Sequence, residues 1–267
     1  MTIAHQPTNT PLQTTSVFGL PIAQLSIAGL LKYFDEMIFR GRTGDGKSTL
    51  IAYINAHSCN LSLQDSKYRA ALTQADLLYL DGNGPRIAAW FAGRSLPARL
   101  TGTDWFDDLC ALCEQRGFRV YLLGSKPGVT SNLILRLQSS HPSLKVVGHD
   151  HGYFSPEDDA RIIEAINHAQ PDLLVLGMGS PYQELWMVKC RDRLDVPVIW
   201  GAGGIFDYAS GHVKRAPRWM RALALEWLGR MLIEPRRLAM RYLLGIPIFL
   251  YQSIKWSIST RTAGSRR

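Results

Sequence analysis

The chain has 267 residues, 46% of them hydrophobic, which is enough to bury one sizeable core and, at most, an appendage beside it. The formal charge is +8, yet from Lys214 onward 12 Lys and Arg face 2 Glu, whereas the first 213 residues carry 18 basic and 20 acidic groups. The basic character therefore belongs to the tail. Four scattered cysteines argue against a disulfide scaffold and for a reducing cytoplasm.

Residues 1–15 are polar, lack a signal-peptide apolar core and read as a flexible N-terminus. From residue 16 to 213, short apolar runs alternate with amphipathic stretches. SVFGLPIAQL is strand-like and Ile27–Phe39 helical. Gly41–Ser48, GRTGDGKS, then matches the phosphate-loop pattern G-x-x-x-x-G-K-[ST] at every specified position. A phosphate loop leaves a strand and opens a helix, so that helix amides can hold the phosphates. Here a helix precedes it and the strand TLIAYIN follows, so a solvated glycine turn is the better reading.

Leu63–Thr73 is predicted helical, and ADLLYLD is a strand that ends in Asp81. A carboxylate at a sheet's carboxyl edge, followed by Gly-Asn-Gly, suits a general base. A turn-forming Asp in Asp-Gly fits the same letters. Helices are predicted at Pro85–Ala92 and Thr103–Arg116. Within the second, Cys110-Ala-Leu-Cys113 has no second pair and reads as two small residues on a buried face. FRVYLLG, Gly128–Ser139 and LKVVGHD follow. His149-Asp150-His151 lacks a third metal ligand, and no D-x-D stands at a strand end. Pro156–His168, PDLLVLG, Pro181–Arg193 and VPVIWGAGG complete the series. Strand-helix repetition with continuous Val, Ile and Leu runs predicts a Rossmann-like α/β fold, with a mostly parallel sheet flanked by helices and a ligand beyond the strands' carboxyl ends.

After about residue 215 the pattern becomes helical, with Trp, Leu and Met among arginines. Arg230, Arg237 and Arg241 share one helical face. Residues 214–267 thus read as a basic amphipathic appendage. An interfacial membrane segment is favoured over a helix pair docked on its own domain. Nucleic acid is not the expected partner, because Leu and aromatics are too dense for a phosphate-tracking surface. No continuous apolar stretch reaches the roughly 18–20 residues of a membrane span.

Eight blocks occur in order: NAHSCNL, YRAALTQADLLYLDGNGP, LPARLTGTDWF, FRVYLLGSKPGV, HGYFSPEDD, DLLVLGMGSPYQELW, VPVIWGAGGIFDYASGHVKRAPRWM and LEWLGRMLIEPRRLAMRYL. Together they resemble the bacterial glycosyltransferase family of teichoic acid N-acetylmannosaminyltransferases, enterobacterial common antigen N-acetylmannosaminuronic acid transferases and xanthan-type exopolysaccharide transferases. The resemblance spans about residues 16–250. It implies inverting transfer from a UDP-sugar to a polyprenyl-pyrophosphate-linked sugar at the inner face of the cytoplasmic membrane, with no cofactor and no essential metal. It implies Asp81 as catalytic base. It implies Gln183 as a nucleotide-sugar-binding glutamine and pocket segments at Thr101, Gly102, Asp104, Gly203 and Gly204; Asn55, Gly82, Asn83, Gly124 and Gly177, small or polar residues at the strands' carboxyl ends, complete the expected nucleotide-sugar pocket. It also implies a hold on lipid pyrophosphate by Arg230, Arg237 and Arg241.

The wording DGNGPRIAAW and the tail LGIPIF look most like the xanthan-type β-1,4-glucosyltransferases, so glucose from UDP-glucose is the expected donor. Members acting on N-acetylmannosamine often carry Thr-x-Asn where this chain has Tyr53-Ile54-Asn55, which leans the same way. An N-acetylmannosamine or N-acetylmannosaminuronate donor is the alternative. From another class, a non-catalytic nucleotide-binding module at a membrane surface is the other. A homo-oligomer would suit a tail able to close a neighbour's site.

Overall fold

The computed structural model describes residues 12–44, 47–217, 220 and 226–264, apart from the side chains of Arg237 and Ala263. It opens with a hairpin, β1 (Thr14–Val17) and β2 (Leu20–Ala23). Its two turn residues, Phe18 and Gly19, both have positive φ (52° and 80°). That geometry matches the right-handed twist of the flanking strands. Phe18 tolerates it because its ring is buried against Phe249 and Trp256.

Six parallel strands form the main sheet, in the order β4-β3-β8-β7-β5-β6. They are β3 (Thr49–Ile54), β4 (Leu77–Leu80), β5 (Arg119–Gly124), β6 (Lys145–Asp150), β7 (Leu173–Gly177) and β8 (Val198–Gly201). The chain lays down β3 and β4, crosses to β5 and β6, and fills back through β7 and β8 to meet β3. Every residue of β4, β7 and β8 is buried, as expected of strands covered on both faces.

One face is covered by α1 (Ile27–Arg42), α5 (Gly102–Arg116), α6 (Val129–Ser140) and the short α9 (Ile205–Ala209). Its centre is aromatic: Trp105 and Trp200 lie 4.8 Å apart, with Phe34 within 5.8 Å of both. Cys110 and Cys113 are buried in this layer, and burial pushes both thiols up, Cys113 to about 12. They are core residues with no thiolate to offer.

The other face is covered by α2 (Ala56–Gln64), α3 (Ser66–Thr73), α4 (Gly84–Phe91), α7 (Asp159–Ala169) and α8 (Tyr182–Cys190). The predicted helix Leu63–Thr73 is thus two helices. Asp65 ends α2 and caps α3, its carboxylate accepting from the Lys67 and Tyr68 amides.

GRTGDGKS lies at the amino edge of β3, away from the strands' carboxyl ends. Gly41 and Arg42 belong to the last turn of α1, and a Cβ on Gly41 would stand 2.5 Å from Pro197. Lys47 pairs with Asp192 at 3.2 Å on the open surface, and Ser48 donates to the Leu194 carbonyl. Asp45 and Gly46 lie outside the described residues. Helix, turn and strand follow in the order that disqualifies a phosphate loop.

Among the described residues from Glu226 on, three helices follow: α10 (Glu226–Ile233), α11 (Pro235–Leu243) and α12 (Gly245–Gly264). α12 packs on α2 and α4. Among the described residues, no helix is long and apolar enough to cross a membrane.

Candidate active site

A cleft of about 1210 Å³ opens over the carboxyl ends of the central strands, with α10–α12 forming its opposite wall. This is where a doubly wound sheet binds its ligand. Asn55, Asp81, Gly82, Asn83, Thr101, Gly102, Gly177, Gly203, Gly204, Arg230 and Arg241 all line it.

Asp81 extends the β3–β4 ladder by one rung, its amide donating to the Ile54 carbonyl at 2.9 Å. The next residue, Gly82, turns away with φ +74°, which frees the carboxylate from the sheet. Asn55 caps α2 through its Oδ1, which accepts from the Ser58 amide at 3.0 Å. Its Nδ2 points at Asp81 Oδ2 from 3.4 Å. One side chain thus starts a helix and orients the acid. Burial pushes Asp81 up from 3.8 to about 6; Asn55, Arg241 and Arg99 oppose the rise and Glu226 reinforces it. Asp81 remains ionised at neutral pH yet is a stronger base than an ordinary carboxylate.

Thr101 and Gly102 start α5, and the buried hydroxyls of Thr101 and Thr103 have no protein partner at the cleft wall. Both are free to serve a ligand. A Cβ on Gly102 would stand 2.4 Å from the Ile205 Cδ1, so the bare glycine leaves room for that side chain where α5 meets the β8–α9 turn. Gly203 takes φ +65° beneath the Tyr53 hydroxyl, and Gly204 lies under the Arg230 guanidinium.

Three sequence candidates stand behind the wall. Gln183 is fully buried and spends its groups inside the protein. Its Oε1 accepts from the Gly179 and Gly203 amides at 3.2 and 3.0 Å, and its Nε2 donates to Glu184 at 2.9 Å. It ties the β7–α8 and β8–α9 turns together, so it shapes the pocket without facing it. Asp104 pairs with Arg215 on the outer side of α5. Gly124 permits close strand packing: its Cβ would lie 2.5 Å from the Gly177 backbone.

On the appendage side, Arg230 lies over the Tyr208 ring at 4.9 Å, with Asp207 and Glu234 at 3.9 and 3.7 Å. The Arg230 and Arg241 Nε groups have no hydrogen-bond partner. Arg237 is on α11, but its side chain lies outside the described residues. Arg215 joins the two walls: Nη1 donates to the Thr103 carbonyl at 3.1 Å, Nη2 to Asp104, and Nε to Glu226 of α10 at 2.9 Å.

The sequence reading missed several lining residues. His57 is held down to about 4 by burial and Arg241, so it is a neutral imidazole here. Ser125 donates to Asp207 at 2.7 Å, and Lys126 follows it at the mouth of the β5–α6 turn. Arg99 lines the cleft as well. Lys126 directly follows a strand-end Gly-Ser, a signal the sequence did contain. Among the described residues, no group of three or more His, Cys, Asp and Glu is placed to hold a metal ion, His149-Asp150-His151 included.

The family model described as "Glycosyl transferase WecG/TagA/CpsF family" matches residues 15–263. The N-acetylglucosaminyldiphosphoundecaprenol N-acetyl-beta-D-mannosaminyltransferase of Bacillus subtilis (strain 168) is 27% identical over 251 residues, covering 94% of this chain and 95% of that protein. The enzyme of the same name from Bacillus spizizenii (strain W23) is 32% identical over 194 residues, covering 73% and 74%. On the strength of a match running through nearly the whole chain, including both walls of the cleft, this protein belongs to the WecG/TagA/CpsF family and is a glycosyltransferase.

Proposed function

We propose that this enzyme transfers N-acetylmannosamine, or its uronate, from a UDP-sugar to a sugar carried on polyprenyl pyrophosphate, with inversion and without a metal. The observation that carries the reading is the Asp81 carboxylate at the carboxyl end of β4, lining a cleft whose far wall bears Arg230 and Arg241. Asp81 would take the proton from the acceptor hydroxyl as that oxygen attacks the anomeric carbon in line. Negative charge growing on the departing diphosphate would be met by the amides of the Gly203–Gly204 turn and by cationic side chains. Asn55 orients the base, Thr101 and Gly102 border the sugar, and Gln183 holds the Gly179 and Gly203 turns in place.

The donor proposed here is the alternative of the sequence reading, which the relatives favour. The expectation of UDP-glucose rested on wording and on Tyr53; the two named relatives are N-acetylmannosaminyltransferases, which favours the alternative. Glucose remains a second reading on one observation. Tyr53, 8% exposed, fills the space between Ser180 and Gly203 and narrows the floor of the cleft.

We further read residues 16–213 as the catalytic core and 214–267 as an appendage that meets the inner face of the cell membrane. Leu232, Met240, Leu243 and Leu244 expose half or more of their surface beside arginines, which suits an interfacial contact.

A panel of radiolabelled UDP-sugars, offered with lipid-linked glucose and lipid-linked N-acetylglucosamine, tests the reading. Transfer from UDP-N-acetylmannosamine supports it, undiminished by EDTA. Transfer from UDP-glucose alone restores the second reading. No transfer from either donor would overturn both donor readings and leave only the family's glycosyl transfer.

A further inference from the structure

α12 is apolar on its outer face as well as on the inner one, where Phe249 and Trp256 pack on Phe18. Beside those two rings the inward face is small: Ser253 and Ser257 are buried, and their hydroxyls turn back onto carbonyls of their own helix. Those small side chains let it lie close on α2 and α4. Its outward stripe is Tyr251, Ile254 and Ile258, at 65%, 47% and 59% exposure. These positions are spaced i, i+3, i+7, one face of the helix. A helix that already has a protein partner gains nothing in water by turning isoleucines outward.

The outward stripe continues an apolar wall that begins inside the cleft. Ile87 of α4 and Ile246, Phe249 and Leu250 of α12 line the cleft itself. The wall starts five residues after Arg241, which faces the same cleft with an unpartnered Nε. Trp90 of α4, the helix on which α12 packs, is 72% exposed. From Ile246 to Ile258 the track runs about 18 Å at 1.5 Å per residue.

We propose that this track is a subsite for the polyprenyl chain of the acceptor, carrying its first isoprene units from the pyrophosphate at Arg241 out of the cleft along the α4–α12 seam. The proposal rests on the lipid-linked acceptor of the preceding section and adds where the lipid goes. A bilayer reaches only the outer stripe; residues that line the cleft call for an apolar chain threaded from within. An isoprenoid leaving through water would forfeit its apolar burial, and this wall removes that cost.

The test is calorimetry on the full chain in vesicle-free buffer, with farnesyl pyrophosphate and inorganic pyrophosphate as probes. Farnesyl pyrophosphate should bind at least about tenfold more tightly, the equivalent of 1.4 kcal/mol. In the Ile87→Ser/Leu250→Ser double variant that preference should collapse while inorganic pyrophosphate still binds, which also shows the variant is folded. Equal affinity for the two probes in the wild type overturns the subsite. So does a preference that survives the double variant. So does a double variant whose only defect is failure to float with anionic vesicles, or to self-associate in light scattering, because the track would then serve a bilayer or a second copy. Binding is read without turnover, so a failed transfer assay and a failed subsite are told apart.

Discussion

Asp81→Asn should inactivate the enzyme and make it more stable, and the two effects share one cause. Burial lifts the Asp81 carboxyl from 3.8 to about 6. At 1.36 kcal/mol per unit, that difference means that folding holds the charged form at a disadvantage of about 3 kcal/mol above pH 6. The sign follows from the raised value. The native state binds this proton more tightly than the unfolded chain does. The Asp81 contribution to stability is therefore fully present below 3.8 and lost as pH rises through about 6. Asn has nearly the same shape, can accept from Asn55, and carries no charge to bury. Urea denaturation at pH 8 should show the variant more stable by about 1–3 kcal/mol, the lower figure allowing for solvent in the cleft. Transfer should fall by about 10²–10⁴, the usual value of a positioned base. The wild-type rate should lose its base below about pH 6. A variant equal to or weaker than the wild type at pH 8 would refute the buried charge, and one that transfers normally would refute the role of base.

Gln183→Ala leaves the Gly179 and Gly203 amides without their acceptor, so stability should drop by about 3 kcal/mol and the KM for donor should rise; a change under about 1 kcal/mol in urea melts would show the tie to be dispensable. Arg215→Ala should release α10 from the core. Hydrogen exchange of the α10 amides should accelerate about tenfold or more, since charge-assisted bonds of this kind are worth over 1.4 kcal/mol, while core amides stay protected. Lys47→Ala should leave transfer intact and stability within about 0.5 kcal/mol, because the Lys47–Asp192 pair is exposed; a large loss of transfer would revive the phosphate loop.

Much of the fold is legible in the letters. Strands buried on both faces leave unbroken apolar runs, as in ADLLYLD and PDLLVLG, and their last residues then mark the ligand edge. That is how Asp81 and Gly203 can be found without coordinates. α2 is less visible: its segment is short and polar, and its start is fixed by the Asn55 cap, a contact made only once β3 ends there.

What the sequence by itself determined is therefore periodicity and punctuation: a parallel α/β core, a basic tail, and a phosphate-loop pattern placed between the wrong elements. Those signals are local, set by neighbours along the chain. Only the tertiary structure decided which way side chains face. A motif glutamine cannot announce that it points inward to bind two turns. Arg215 cannot announce a carboxylate 111 residues away. α12 belongs to what reads as a basic amphipathic tail, and only its docking on α2 and α4 shows that Phe249 and two serines face in while Ile254 and Ile258 face out. Such facts depend on which surfaces meet when the core closes, and no local rule in the sequence encodes that meeting.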